Sequence, residues 1–100
     1  MNNEVYVFTT AVKAKPGNEE QVLQASLEVA EAARAQVGCV DYRIFRSTDD
    51  AADTVNFERW SSEEARTAFN AGPDVEKFIA AVSDKFAESP QSVSYREMTS

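Results

Sequence analysis

Along the chain, apolar positions switch between a period of two and a period of three to four. From Val5 to Ala14 both alternating sets, Val5/Val7/Thr9/Ala11 and Tyr6/Phe8/Thr10/Val12, are largely apolar or small. A strand covered on both sides is predicted. Lys15-Pro16-Gly17-Asn18 reads as a turn into a helix running to about Gln36. Asn18 is placed to cap it, with Gln21 completing a capping-box pattern. Leu23, Leu27 and Ala30, with Val22, Val29 and Ala33, form its apolar stripe. Gly38 stands where a helix-ending glycine belongs. Cys39 to Ser47 alternates again, with Val40, Tyr42 and Ile44 on one side and Asp41, Arg43 and Phe45 on the other. The polar stretch 48–53 suits a hairpin, and Thr54 to Trp60 is the third strand. Ser61 and Ser62 offer caps to a short helix from about Ser62 to Asn70, which Gly72-Pro73 interrupts. A second helical piece spans Asp74 to about Glu88, with Val75, Phe78, Ile79, Val82 and Phe86 at helical spacing. Ser89-Pro90 stops it, and Val93 to Met98 is the last strand.

This order is βαββαβ, with the second helix broken once. It predicts one α+β domain over residues 1–100, with a ferredoxin-like four-stranded antiparallel sheet. Helices cover one face, and the first and third strands are central. The other face is left bare. It includes one apolar side of the first strand, together with Val55 and Phe57. A bare apolar face of that size marks an interface. Pairing two such sheets closes a barrel, so a homodimer is expected.

Charge narrows the partners. The chain has 10 Lys+Arg against 17 Asp+Glu, a net charge of -7. An acidic surface repels phosphate backbones and anionic membranes, so neither nucleic acid nor membrane is expected as a partner. No apolar run approaches the ~20 residues that span a bilayer. Met1-Asn2-Asn3-Glu4 has no basic region followed by an apolar stretch, so no signal peptide is expected. The single cysteine, Cys39, cannot form an internal disulfide. These features point to the cytoplasm. There is no histidine. That removes the commonest metal ligand and the commonest base near neutral pH. No metal site is expected, and a Ser-His-Asp or Cys-His hydrolase is excluded.

The segment Thr54-Val55-Asn56-Phe57-Glu58-Arg59-Trp60 carries the candidate chemistry. Alternation puts Asn56, Glu58 and Trp60 on one face: an amide, a carboxylate and an indole in a row. The alternative is structural, with Glu58 pairing with Arg43 or Arg59. The acids of the first helix, among them Glu19, Glu20, Glu28 and Glu31, read as a solvated face. Cys39 reads as a small buried residue rather than a nucleophile.

Three segments resemble one family. Lys15-Pro16-Gly17-Asn18-Glu19-Glu20 is similar to the K-P-G-x-E-E start of the antibiotic biosynthesis monooxygenase (ABM) domain. Val37-Gly38-Cys39-Val40-Asp41-Tyr42 resembles its G-C-x-x-Y element. Phe57-Glu58-Arg59-Trp60, followed by Ser62-Glu63-Glu64-Ala65, resembles its Y/F-E-x-W-x-x-x-E-A element. The resemblance covers nearly the whole chain. It implies a dimeric α+β barrel with a pocket between sheet and helices in each protomer. Some members oxidise quinols or anthrones with O₂ and no cofactor, and in those an Asn and a Trp four residues apart sit at the pocket. Asn56 and Trp60 match that spacing.

On this expectation the substrate is a small aromatic and O₂ is the co-substrate. Trp60 would stack on the ring or donate its N–H, Asn56 would donate to the developing oxyanion, and Glu58 would act as a base. Tyr42 and Tyr6 are candidate hydrogen-bond partners for the substrate. Many members carry His in the helix after the third strand and near the following Pro. Phe69 and Asp74 stand there instead, and Phe69 would make the pocket more apolar. Two further readings stay open. One is an isomerase or other modifier of a small carbonyl metabolite with Glu58 as proton shuttle. The other is a dimer that binds a small molecule without turnover.

Overall fold

The computed structural model describes residues 5–99. The reading of Met1 to Glu4 lies outside them. The elements follow as β1 (Tyr6–Lys13), α1 (Glu19–Arg34), β2 (Cys39–Arg46), β3 (Asp53–Trp60), α2 (Glu63–Asn70), α3 (Pro73–Val82) and β4 (Gln91–Tyr95). A single turn of 3₁₀ helix, Ser83–Lys85, extends α3. The strands form one antiparallel sheet in the order β2-β3-β1-β4. The expected α+β ferredoxin-like fold is therefore present, with β1 and β3 central.

Register decides which side chains meet. Tyr6, Phe8, Thr10 and Val12 of β1 stand opposite Trp60, Glu58, Asn56 and Thr54 of β3. Tyr42 and Ile44 of β2 extend those rows beyond Glu58 and Asn56, and Ser94 and Ser92 of β4 extend them beyond Phe8 and Thr10. This is the face the helices cover. Two apolar clusters anchor its ends. One joins Val29, Ala30 and Ala33 of α1 to Tyr42, Trp60 and Phe69. The other joins Val12, Ala14, Val22 and Val82.

Several boundaries differ from the sequence reading. Helix α1 ends at Arg34 rather than Gln36, and Asn18 caps it without a side-chain bond. The turn is fixed instead by the Gly17 N–H donating to Glu19 Oε1 at 2.9 Å. Leu27 of the expected stripe is exposed, and Ser26 is buried with Val22, Val29, Ala30 and Ala33. Helix α3 ends at Val82. Phe86 reaches the core from an extended segment that bridges to Ala14, and Ile79 is half-exposed. The last strand is Gln91–Tyr95, so Met98 lies beyond it.

In β2 the register shifts between Cys39 and Asp41. One extra residue re-phases a strand. Cys39 therefore falls opposite Trp60, while Val40 is exposed rather than aligned with Tyr42 and Ile44.

Helix α2 is seated by a close approach. Ser62 accepts the Ala65 N–H and so caps it. Gly38 has φ of +97° and faces Ala65, where a Cβ would come within 2.7 Å of the alanine methyl. The Ser61 N–H donates to Gly38 O at 2.8 Å. A side chain at residue 38 would push α2 off the sheet, and with it Arg66.

Candidate functional site

A cleft of about 740 Å³ opens between the sheet and α3, closed on one side by the segment after the 3₁₀ turn. Its floor is the middle of the helix-covered sheet face: Thr10, Tyr42, Asn56, Glu58 and Ser92. Val29, Val75, Phe78 and Phe86 give it apolar walls, and Arg66 closes the α2 side. The volume suits a small organic ligand.

The polar groups of the floor are bonded to one another. Glu58 is 2% exposed and Trp60 0%. The Trp60 indole N–H donates to Glu58 Oε1 at 2.9 Å. Arg66 Nε donates to the same oxygen at 3.1 Å, and Arg66 Nη2 reaches Oε2 at a looser 3.5 Å. The Arg66 guanidinium carbon lies 3.9 Å from the centre of the Phe8 ring. A cation so stacked and ion-paired is held in one plane. Asn56 Nδ2 donates to the Tyr42 hydroxyl at 3.2 Å, while its Oδ1 is buried with no partner among the described residues. Burial, reinforced by the Glu58 carboxylate, pushes the Tyr42 phenol far above its usual range, against the pull of the Asn56 amide. Tyr42 is thus a neutral donor and acceptor at physiological pH.

The candidates named from sequence fall into two groups. Asn56, Glu58 and Tyr42 meet in the cleft. Trp60, Phe69 and Tyr6 do not line it. Trp60 lies behind Glu58, packed on Phe69 with ring centres 5.8 Å apart. It cannot stack on a ligand from there, because Glu58 and the core enclose it. Phe69 belongs to that same core cluster rather than to the cleft wall. Tyr6 lies opposite Trp60 and lines a separate crevice with Phe8, Glu63 and Ser94. Glu58 pairs with Arg66, not with Arg43 or Arg59; those bond Asp41 and Glu97. Arg66 is the residue the sequence reading missed. Its signal was its position: eight residues after Glu58, one turn into a helix that must cross the same sheet face. Burial pushes the Cys39 thiol up, which suits a packed thiol rather than a nucleophile.

Among the described residues, no three His, Cys, Asp or Glu side chains are grouped as for a metal ion. No helix there is long and apolar enough to cross a membrane.

Comparison with known structures supports the fold across the chain. A Nitrosomonas europaea protein, named in its structure as a candidate antibiotic biosynthesis monooxygenase, superposes with a TM-score of 0.90 at 20% identity, over 98% of this chain and 94% of that one. A Mycobacterium tuberculosis protein gives 0.87 at 18% identity over 96% and 97%. One from Chloroflexus aurantiacus gives 0.81 at 21% identity over 96% and 95%. At such identities the likeness carries the fold alone. None of the curated proteins matches the chain. The sequence model of one family, described as antibiotic biosynthesis monooxygenase, matches residues 5–81. The match takes in both central strands, the buried polar row of β3 and the helix that carries Arg66, and the chain belongs to the antibiotic biosynthesis monooxygenase family.

Proposed function

We propose that the protein is a cytoplasmic, homodimeric monooxygenase that oxidises a small electron-rich aromatic, a quinol or anthrone, with O₂ and no cofactor. The observation that carries this reading is the set of buried polar groups in the cleft floor. A strand interior rarely keeps an amide with an unpartnered oxygen beside a buried carboxylate unless a ligand uses them.

In the proposed reaction the substrate loses a proton from its reacting CH₂ or hydroxyl. Glu58 Oε2, held only by the loose Arg66 contact, is the oxygen placed to take it. Trp60 and Arg66 fix the carboxylate through Oε1, so Trp60 is a positioning residue rather than a stacking one. The resulting anion is electron-rich enough to reduce O₂ by one electron, and the two radicals combine at carbon. Loss of water from the hydroperoxide leaves a carbonyl. A CH₂ group and O₂ thus become C=O and H₂O. The Asn56 amide can turn so that Oδ1 accepts the Tyr42 O–H and Nδ2 donates to the developing oxyanion. The cleft's apolar walls exclude water from the anion.

The test is oxygen consumption with dihydroxynaphthalenes and anthrones by metal- and flavin-free protein. Uptake that falls in both Asn56→Ala and Trp60→Phe supports the reading. No uptake with any of these substrates overturns it.

A further inference from the structure

Arg66 has more donors than its partners use. A guanidinium carries five N–H groups. Glu58 engages one edge of it, through Nε at 3.1 Å and Nη2 at 3.5 Å. Nη1 and the second N–H of Nη2, which form the other edge, have no partner among the described residues. That edge is a two-donor fork that matches a carboxylate. The side chain is only 18% exposed. The Phe8 ring and Glu58 together fix its plane. A rigid, partly desolvated fork binds an oxygen pair better than a mobile surface cation does.

The surroundings favour the same ligand chemistry. Among the described residues, Arg66 is the one cation lining the cleft. Glu58, already paired with Arg66, and Glu88 also line the cleft, and the chain carries a net charge of -7, so any attraction of an anion into this site comes from the fork itself. Val29, Val75, Phe78 and Phe86 would take an apolar body while the fork holds its acidic end.

We propose that Arg66 sets the specificity of this cleft for an apolar or aromatic ligand bearing a carboxylate, bound end-on to the edge of the guanidinium that Glu58 leaves open. The inference rests on the cleft being the ligand site, and it deepens the functional reading by naming the substrate class. Glu58 and the incoming carboxylate then share one cation, each on its own edge.

The experiment is anaerobic calorimetry with naphthalene-2-carboxylate and its neutral isostere naphthalene-2-carboxamide. Neither has a hydroxyl to oxidise, so the result is independent of oxygenation. Wild type is expected to favour the carboxylate by about tenfold or more. Arg66→Gln should lose that preference, and Arg66→Lys should keep part of it. Because Arg66→Gln leaves Glu58 without its cation, the double variant Glu58→Gln/Arg66→Gln repeats the test without a lone buried charge. Equal binding of the two probes by wild type, binding of neither at millimolar concentration, or a preference that survives in the double variant overturns the proposal.

Discussion

The two faces of β3 reverse the usual order of a half-covered strand. Toward the helices it turns Thr54, Asn56, Glu58 and Trp60, all buried, three of them polar or charged. Toward the open side it turns Val55, Phe57 and Arg59, only partly covered. The neighbours continue the pattern: Phe45, Val93 and Tyr95 on the open face are 52%, 44% and 53% exposed. A strand serving only the core of a monomer would carry the opposite arrangement, apolar inward and polar outward. Each departure has its own cost. Buried polar groups lose water and must be bonded, and exposed apolar ones stay wet. The inward face bears that cost at a cleft. On the outward face the proposed second copy would relieve it by covering the sheet.

The strongest way to break the inward face is at Trp60, which is both core and the donor to Glu58. Trp60→Ala is expected to cost about 3–5 kcal/mol, read as the shift of a urea denaturation midpoint. A loss below about 1 kcal/mol would show that the indole is not the anchor of that end of the sheet. Asn56→Ala separates chemistry from packing. Oxygen uptake should fall by about 10²-fold, or about 2.7 kcal/mol of barrier. Stability should change by no more than about 1 kcal/mol, because the variant also deletes a buried acceptor that nothing satisfies. A large loss of stability with uptake intact would make Asn56 a structural residue.

The fold was legible because it rests on local patterns. Period-two and period-three-to-four runs, with breaks at Gly72-Pro73 and Ser89-Pro90, placed every strand and helix to within about three residues except the end of α3, which stops at Val82 rather than near Glu88. The errors arose where one residue changes phase or where tertiary contacts choose the face. Val40 is such a case, because the register shift beside it is not written in the alternation of Val40, Tyr42 and Ile44. Leu27 is another: α1 settles on its small residues, Ser26, Ala30 and Ala33, and leaves the leucine outside. The site was half legible. Alternation put Asn56, Glu58 and Trp60 in one row, but depth along a row is not periodic. Helix α2 packs over the Trp60 end, so the indole is buried and the amide lines the cleft. Arg66 escaped notice because its partner lies on a different element, and only the seating of α2 at Gly38 brings the two together.

The outward face has a test of its own. Phe45 is half-exposed at the edge strand, so Phe45→Glu should leave the fold intact while placing a charge on the surface proposed to be shared. Losing one such contact on each protomer should weaken a homodimer by about 1.5–3 kcal/mol per side chain, at least tenfold in dissociation constant by sedimentation. A wild-type protein that sediments as a monomer at micromolar concentration would remove the need for a covered outer face.

The smallest effect concerns Tyr42, where the inward face can be titrated. Unfolded, its phenol loses its proton near pH 10. Folded, burial and the Glu58 carboxylate hold the proton to higher pH. Between those limits the folded state carries one more proton than the unfolded state. The contribution of Tyr42 is therefore complete below pH 10 and falls as pH rises, by about 1.4 kcal/mol per unit, until the folded phenol ionises too. Tyr42→Phe removes this dependence. It also deprives Asn56 Nδ2 of its acceptor, so the variant should be about 1 kcal/mol less stable at neutral pH. Its deficit should then shrink above pH 10, as the wild type alone loses stability there. All other groups are common to both proteins and cancel in the difference between their denaturation midpoints. Parallel curves through pH 11 would mean that the Tyr42 hydroxyl meets water, and that the cleft floor is wetter than its burial implies.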